Sequence, residues 1–472
     1  MKPSTASLLA IAGGTFMVIF NGAAVQMALP VLQRDLGAPL YEVQWTMTAF
    51  LLVSTAALLP AGRAGDVYGR ARAWRAGALV FVIASALCAV VPGLWWLVVV
   101  RAVQGLGAAL TAANAAPLLV EAFPPEHRGR ALGAGNLAIA LGLVLGPPVG
   151  SLLMAAVSWR LIFVVAVPVG LWAWLGSRGP LPRHRGAAEP LGAGGGLLSF
   201  VALVALLLPG TFGRGWGWGS PLTLLLFGAG ALFSLAFAVQ QARARRPLLD
   251  LKLLRDRMFV SGAITSLMAF AALFSLTVVM PFFLVVTQGR SIVQAGLLVG
   301  FMPLGLSVAA PLAGWASDAF GSRTICTAGL IAIAGAFVLM QWAGPGTSAW
   351  LLAPVLLLAG AGLGAFEAPN DVAVLGAVPP ERLGVGTAML GAMRNLGMTF
   401  GGAVAATILD YELSRAGATR AARAAEGAQA ALLVGAVFAG LGAIAAALRP
   451  GGAAARGRAG ARLPAPDPGA AT

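Results

Sequence analysis

The chain has 472 residues, 59% of them hydrophobic and 10% charged, with a mean hydropathy of +0.88. This excludes a water-soluble globular protein, because the apolar residues come in blocks of about 20, each long enough as a helix to cross ~30 Å of hydrocarbon. The formal charge of +15 does not signal nucleic acid, since nearly all the basic residues lie between the blocks, where they report topology.

Fourteen spans are predicted, at about 7–30, 41–61, 74–92, 94–119, 131–155, 161–176, 191–209, 220–240, 258–286, 291–314, 324–342, 349–377, 384–409 and 428–448. The first is too long for a signal-peptide core and lacks a convincing cleavage site. The even count places both termini on one side. With the N-terminus inside, 22 of the 31 Lys and Arg residues fall on that side and seven in the opposite loops. The expectation is a multi-pass protein of the cell (inner or plasma) membrane with both termini cytoplasmic. Cys88 and Cys326 lie inside apolar blocks and read as small core residues. His127 and His184 lie in loops without ligand spacing, so no metal site is expected.

A repeat of half-chain length runs through the sequence. Gly62-x-x-x-Asp66-x-x-Gly69 recurs 252 residues on as Gly314-x-x-x-Asp318-x-x-Gly321. Phe123-Pro-Pro-Glu-x-x-Gly129 recurs 255 on as Val378-Pro-Pro-Glu-x-x-Gly384, and at that offset Gly105, Gly107, Gly142 and Gly146 map to Gly360, Gly362, Gly397 and Gly401. Duplicated halves of this kind are the build of secondary transporters, with a site between them near mid-membrane. The predicted organisation is an N-terminal six-helix bundle (1–176), an inserted two-helix segment with cytoplasmic linkers (177–257), a C-terminal six-helix bundle (258–448) and a disordered cytoplasmic tail (449–472). Trp216 and Trp218, between the inserted helices, are candidate interface anchors.

Three stretches carry chemistry. In the loop expected after the second span, Gly69 permits a tight turn, Asp66 can accept from a helix N-terminus, and Arg70 can pair with Glu121 at the end of the fourth span as a conformational latch. The fourth span carries Arg101 and Gln104, with Arg101 ~10 Å deep at 1.5 Å per residue. A charge at that depth should face the bundle interior and mark a pathway. The fifth span carries Gly133, Gly142, Gly146 and Gly150, the last three at four-residue spacing, followed within the run by Pro147 and Pro148. That pattern predicts a bare face for close helix contact, bent or ended at the prolines, acting as a moving seal between unlike halves.

Together these stretches resemble the major facilitator superfamily. Gly62–Arg72 is similar to its signature loop, Arg101–Ala109 to its fourth-helix arginine motif, and Gly133 to Gly150 to the motif of its drug antiporters. With the two-span insertion and fourteen spans, the chain resembles the drug:proton antiporters of the EmrB/QacA type. The resemblance implies an all-α major facilitator fold of two six-helix halves plus two inserted helices. It also implies export of small hydrophobic or cationic compounds in exchange for protons. Ser151 departs from the antiporter motif's last glycine, and Val67 and Ala71 stand at basic positions of the loop motif. The family commonly has an aspartate where this chain has Asn21, an amide that cannot titrate.

A different carboxylate is then expected to couple protons. Glu367 and Asp371 lie four apart on one helix face, and Arg394 of the next span sits at similar depth. Glu367 is expected to face the central cavity and pair with Arg394 in one state, or else to join two helices statically. Asp35 is a weaker candidate. An uncoupled or differently coupled carrier is the alternative, and a receptor on the same scaffold a more distant one. No cofactor beyond the proton, no nucleic-acid partner and no partner subunit is expected. The two lysines, Lys2 and Lys252, lie in no phosphate-binding loop, and no clustered nucleophile and base suggests an enzyme.

Overall fold

Backbone polar groups in hydrocarbon must be bonded within their own segment, so apolar blocks of this length fold as helices. A computed structural model describes residues 3–124, 127–178, 193–217, 219–243, 255–378, 383–415 and 419–449. The first half holds α1 (Pro3–Leu36), the one-turn α2 (Leu40–Val43), α3 (Trp45–Tyr68), α4 (Arg70–Val90), α5 (Leu94–Ala122), α6 (Arg128–Ala156) and α7 (Leu161–Gly176). The insertion holds α8 (Ala193–Trp216) and α9 (Pro221–Arg243). The second half holds α10 (Arg257–Phe282, ending in a π-helical turn, Phe283–Thr287), α11 (Ile292–Val299), α12 (Phe301–Phe320), α13 (Ser322–Leu339), α14 (Ala349–Gly376), α15 (Leu383–Ser414) and α16 (Arg420–Ala447). Asp256 caps α10 through the amides of Met258 and Phe259, and Ser291 and Gln294 form a capping box at α11.

Each predicted span falls on helix, though not every one of these helices is long and apolar enough by itself to cross a bilayer. Among the described residues ten helices have the length and hydropathy to cross a bilayer, with an eleventh if the pair bent by 48° between Leu58 and Pro60 is one span. Leu161–Gly176 and Gly194–Leu206 are shorter apolar helices. The stretch Gly62–Arg72 is not a loop: helix runs to Tyr68 and resumes at Arg70, and Gly69 alone turns the chain at φ +96. Gly321, at φ +81, repeats that turn between α12 and α13. Pro147 and Pro148 do not end α6, which runs on to Ala156. Asp35 lies inside α1 rather than beyond it. Trp216 closes α8, whereas Trp218 and parts of both Pro-Pro-Glu stretches lie outside the described residues, as does the tail from Pro450.

The repeat survives as packing. A methyl group built on Gly107 would meet the Gly77 carbonyl at 2.8 Å, and one on Gly362 would meet the Gly329 carbonyl at 2.6 Å, so α4–α5 and α13–α14 touch backbone to backbone. Gly105 lies against the Phe50 carbonyl of α3, and Gly360 against that of Met302 in α12. The α6 glycines pack on α1, Gly142 at Ile19, Gly146 at Ala23 and Gly150 at Ala24, while Gly397 and Gly401 of α15 pack on α10 at Leu267 and Ala271.

Two polar contacts fix the ends of the bundle. Ser261, early in α10, donates to the Ala445 carbonyl near the end of α16 at 3.1 Å. Arg420, opening α16, donates to Gln33 near the end of α1 at 3.3 Å. The beginning of α1 and the end of α16 therefore share one end, the terminal end, and Gln33 marks the far end. The halves meet towards the far end: Gly296 of α11 sits on the Pro147 carbonyl and Ser151 of α6, and Gly402 of α15 on the Gln44 side chain. In the insertion, α8 leans on α3, with Gly196 against Pro60, and α9 on α8, with Gly230 against Leu206.

Candidate functional site

Within the spans, a buried or partly buried charge centre lies in each half. In the first half Arg101 of α5 is completely buried. Its Nε donates to the Thr46 carbonyl at 2.9 Å, and Nη1 to Asn21 Oδ1 at 3.1 Å and Gln104 Oε1 at 2.5 Å. Gln104 in turn donates to Ser85 Oγ at 2.7 Å and Asn21 Oδ1 at 3.3 Å, and Asn21 Nδ2 reaches the Ile162 carbonyl at 3.4 Å. The Phe50 ring lies 4.3 Å from the guanidinium carbon and the Phe163 ring 5.9 Å. Five elements thus converge on one cation, and among the described residues no carboxylate pairs with it. Its Nη2 has no hydrogen-bond partner there. Such a charge is held by dipoles and ring faces.

In the second half Arg394 of α15 bridges two acids of α14. Its Nη1 lies 2.8 Å from Glu367 Oε1, and its Nη2 pairs with Asp371 Oδ2. The three side chains are 23–30% exposed. Helical spacing places Glu367 and Asp371 on one face, and Pro369 lies between them. Arg394 also sits 5.7 Å from the Phe270 ring of α10. Arg394 Nε and Asp371 Oδ1 are buried without partners. Two carboxylates against one guanidinium give the cluster a net charge of −1 when both are ionised.

At the terminal end Arg70 holds Glu121 at 2.9 Å and Asp66 at 3.1 Å. Asp66 thus binds the arginine four residues on rather than capping α4, whose N-cap receives no side-chain bond. The repeat copy lacks this cluster: Asp318 is exposed without an ion pair among the described residues, and Ser322 stands where Arg70 would be. Gly62 and Gly133 face open space or a contact no closer than 3.9 Å, so neither serves a close approach here.

The glycine face of α6 is not the seal between halves that its spacing suggests. Gly142, Gly146 and Gly150 pack inside their own half, and the surface turned to the other half is the next one round, at Pro147, Pro148 and Ser151. Its partners Gly296 and Gly300 have the same four-residue glycine spacing in the sequence. Also missed were Ser85, Thr46 and Phe50 around Arg101, and Asn114, which lies against Gly65 and bonds the Ala61 carbonyl at 3.2 Å. Thr46 contributes a backbone carbonyl, which leaves no side-chain signal.

Two similarly packed helical halves with a buried charge centre in each define a polytopic membrane transporter. The chain matches the Major Facilitator Superfamily over residues 11–240 and 262–467, and it belongs to that family. It is similar to the riboflavin transporter RibZ of Clostridioides difficile (strain 630), at 30% identity over 408 residues, 85% of this chain and 87% of the relative. It is also similar to the puromycin resistance protein pur8 of Streptomyces alboniger, at 32% over 427 residues, 87% and 84% of the two chains. Its fold is shared with a bacterial homolog of the human lysosomal transporter Spinster in an inward-facing, unoccupied conformation, with a TM-score of 0.70, 16% identity, and 99% and 100% of the two chains covered.

Proposed function

We propose that this transporter exports small hydrophobic or cationic compounds in exchange for protons, with the Glu367–Asp371–Arg394 cluster as its coupling centre. The observation that carries this reading is the unequal pairing of two acids on one base in a partly exposed position. The surplus negative charge suits a proton or a monocation, whereas Arg101 is surrounded by groups that cannot titrate near neutral pH. Residues 1–176 and 258–448 rock against each other, with α8 and α9 as an insertion in a fourteen-span chain of the drug:proton antiporter type. Both termini are cytoplasmic in the cell membrane, and far-end contact between the halves then corresponds to a state open inward. The protein works as a monomer without a cofactor, and not as an enzyme. The resistance named for the relative pur8 supports the substrate class.

Asn21 favours a second reading, a carrier of the same fold with no proton coupling. The two separate in proteoliposomes with an imposed pH gradient. Under the first, the gradient drives accumulation of a lipophilic cation, and Glu367→Gln flattens the pH dependence. Accumulation indifferent to the gradient establishes the second.

A further inference from the structure

Where α10 begins and α16 ends, at the terminal end of the second half, a cavity of about 610 Å³ opens between the two helices. Its walls are apolar at Val260, Ile264 and Leu448, and its rim carries Arg255 and Arg257. Both arginines are exposed, and neither has an ion-pair or hydrogen-bond partner among the described residues. Asp256, between them, is engaged in capping α10 and neutralises neither. The floor carries Ser261, whose Oγ accepts from Arg449 Nε at 3.3 Å. The sequence places Arg449 at the start of a disordered tail, yet it is 2% exposed and donates to Asn370 Oδ1 at 2.5 Å, with its Nη1 left without a partner. Burial lowers its pKa from the ordinary value, as befits a guanidinium with no carboxylate beside it.

Two exposed arginines, without an ion pair among the described residues, thus rim a groove backed by the buried Arg449, and its other walls are hydrocarbon. Nothing in the transport reading uses them. A free anion would satisfy the guanidinium groups and leave the apolar walls in contact with water. A molecule with an anionic head and an acyl chain satisfies both. We propose that this groove binds the phosphate headgroup of an anionic phospholipid, with Arg255 and Arg257 on the phosphate and an acyl chain along Val260, Ile264 and Leu448. A basic pocket between helices at the membrane surface is a site that phospholipid headgroups recognise.

The test uses the full-length protein in detergent, titrated with phosphatidylglycerol or phosphatidylcholine and followed by native mass spectrometry and thermal melting. Phosphatidylglycerol should be retained and should raise the melting temperature, and Arg255→Gln/Arg257→Gln should weaken its retention roughly tenfold or more. Arg130→Gln/Arg323→Gln, which removes the same charge from exposed sites elsewhere, should leave retention unchanged. Equal loss in the two double variants would reduce the effect to net charge and overturn the site. So would the same thermal shift from millimolar inorganic phosphate, or equal retention of phosphatidylcholine. A melting temperature of the lipid-free Arg255→Gln/Arg257→Gln protein equal to wild type separates lost binding from misfolding.

Discussion

The two halves share a packing plan and differ in where they keep their charges. In α1–α7 the interior cation, Arg101, is enclosed by amides, a carbonyl and aromatic rings, and an ion-pair cluster forms at the terminal end on Arg70. In α10–α16 the order is reversed: the ion pairs lie inside on Arg394, and the terminal end holds Arg449 among neutral partners. The glycine contacts, by contrast, match helix for helix, Gly107 on Gly77 as Gly362 on Gly329, and Gly146 on α1 as Gly401 on α10. Close helix approach tolerates almost no added atom, so both copies keep the same small residues. A charge needs only a satisfactory set of partners, and different sets have been built around it in each half.

Replacing the Arg101 cage should have the largest effect. Arg101→Met leaves Gln104 Oε1 without its donor, at ~1–3 kcal/mol for an orphaned buried group, while Asn21 Oδ1 keeps its bond from Gln104 and the Thr46 carbonyl its place in α3. Transport should be lost and the melting temperature lowered. Arg101→Lys should rescue stability in part and transport not at all, because an ammonium lacks the forked geometry. Full transport in Arg101→Lys would show that only the charge matters.

The packing symmetry can be tested by mirrored substitutions. Gly146→Val and Gly401→Val should each destabilise by ~1–3 kcal/mol, since a Cβ at either position runs into the facing helix. Melting curves that separate the two widely would break the equivalence of α1–α6 and α10–α15. Gly296→Ala strikes across the halves instead. It should favour separation at the far end, read as faster thiol labelling of a cysteine introduced at Pro148, with a smaller loss of stability.

The division of charge predicts that Asn21→Asp places a carboxylate beside Arg101 and makes the first half resemble the second. Uptake should become more steeply pH-dependent in this variant, and should do so even in the Glu367→Gln background. A profile unchanged from Glu367→Gln alone would confine coupling to the second half. The smallest effects are expected at the turns. Asp66→Asn removes one partner of a partly exposed pair, worth ~0.2–1 kcal/mol, and should alter transport rate modestly, whereas Asp318→Asn should be silent in the same assay.

Much of this was legible in one dimension. The positions of helices followed from block length, because a spanning segment has no alternative way to bond its backbone. The duplication followed from glycines at fixed offsets, and the acid face of α14 from a four-residue spacing. Arg70 and Glu121, 51 residues apart, were matched by opposite charge at helix ends brought to one surface. The sequence did not show which neighbour each face meets. The α6 glycines signalled close contact, and only folding made that contact α1 rather than the other half. The carbonyl of Thr46 at Arg101 and the burial of Arg449 were equally out of reach. Periodicity along a helix fixes which residues share a face and whether that face can be approached closely. What lies opposite depends on the rotation and order of helices in the bundle, which are set by packing of all of them at once and leave no mark at any single position.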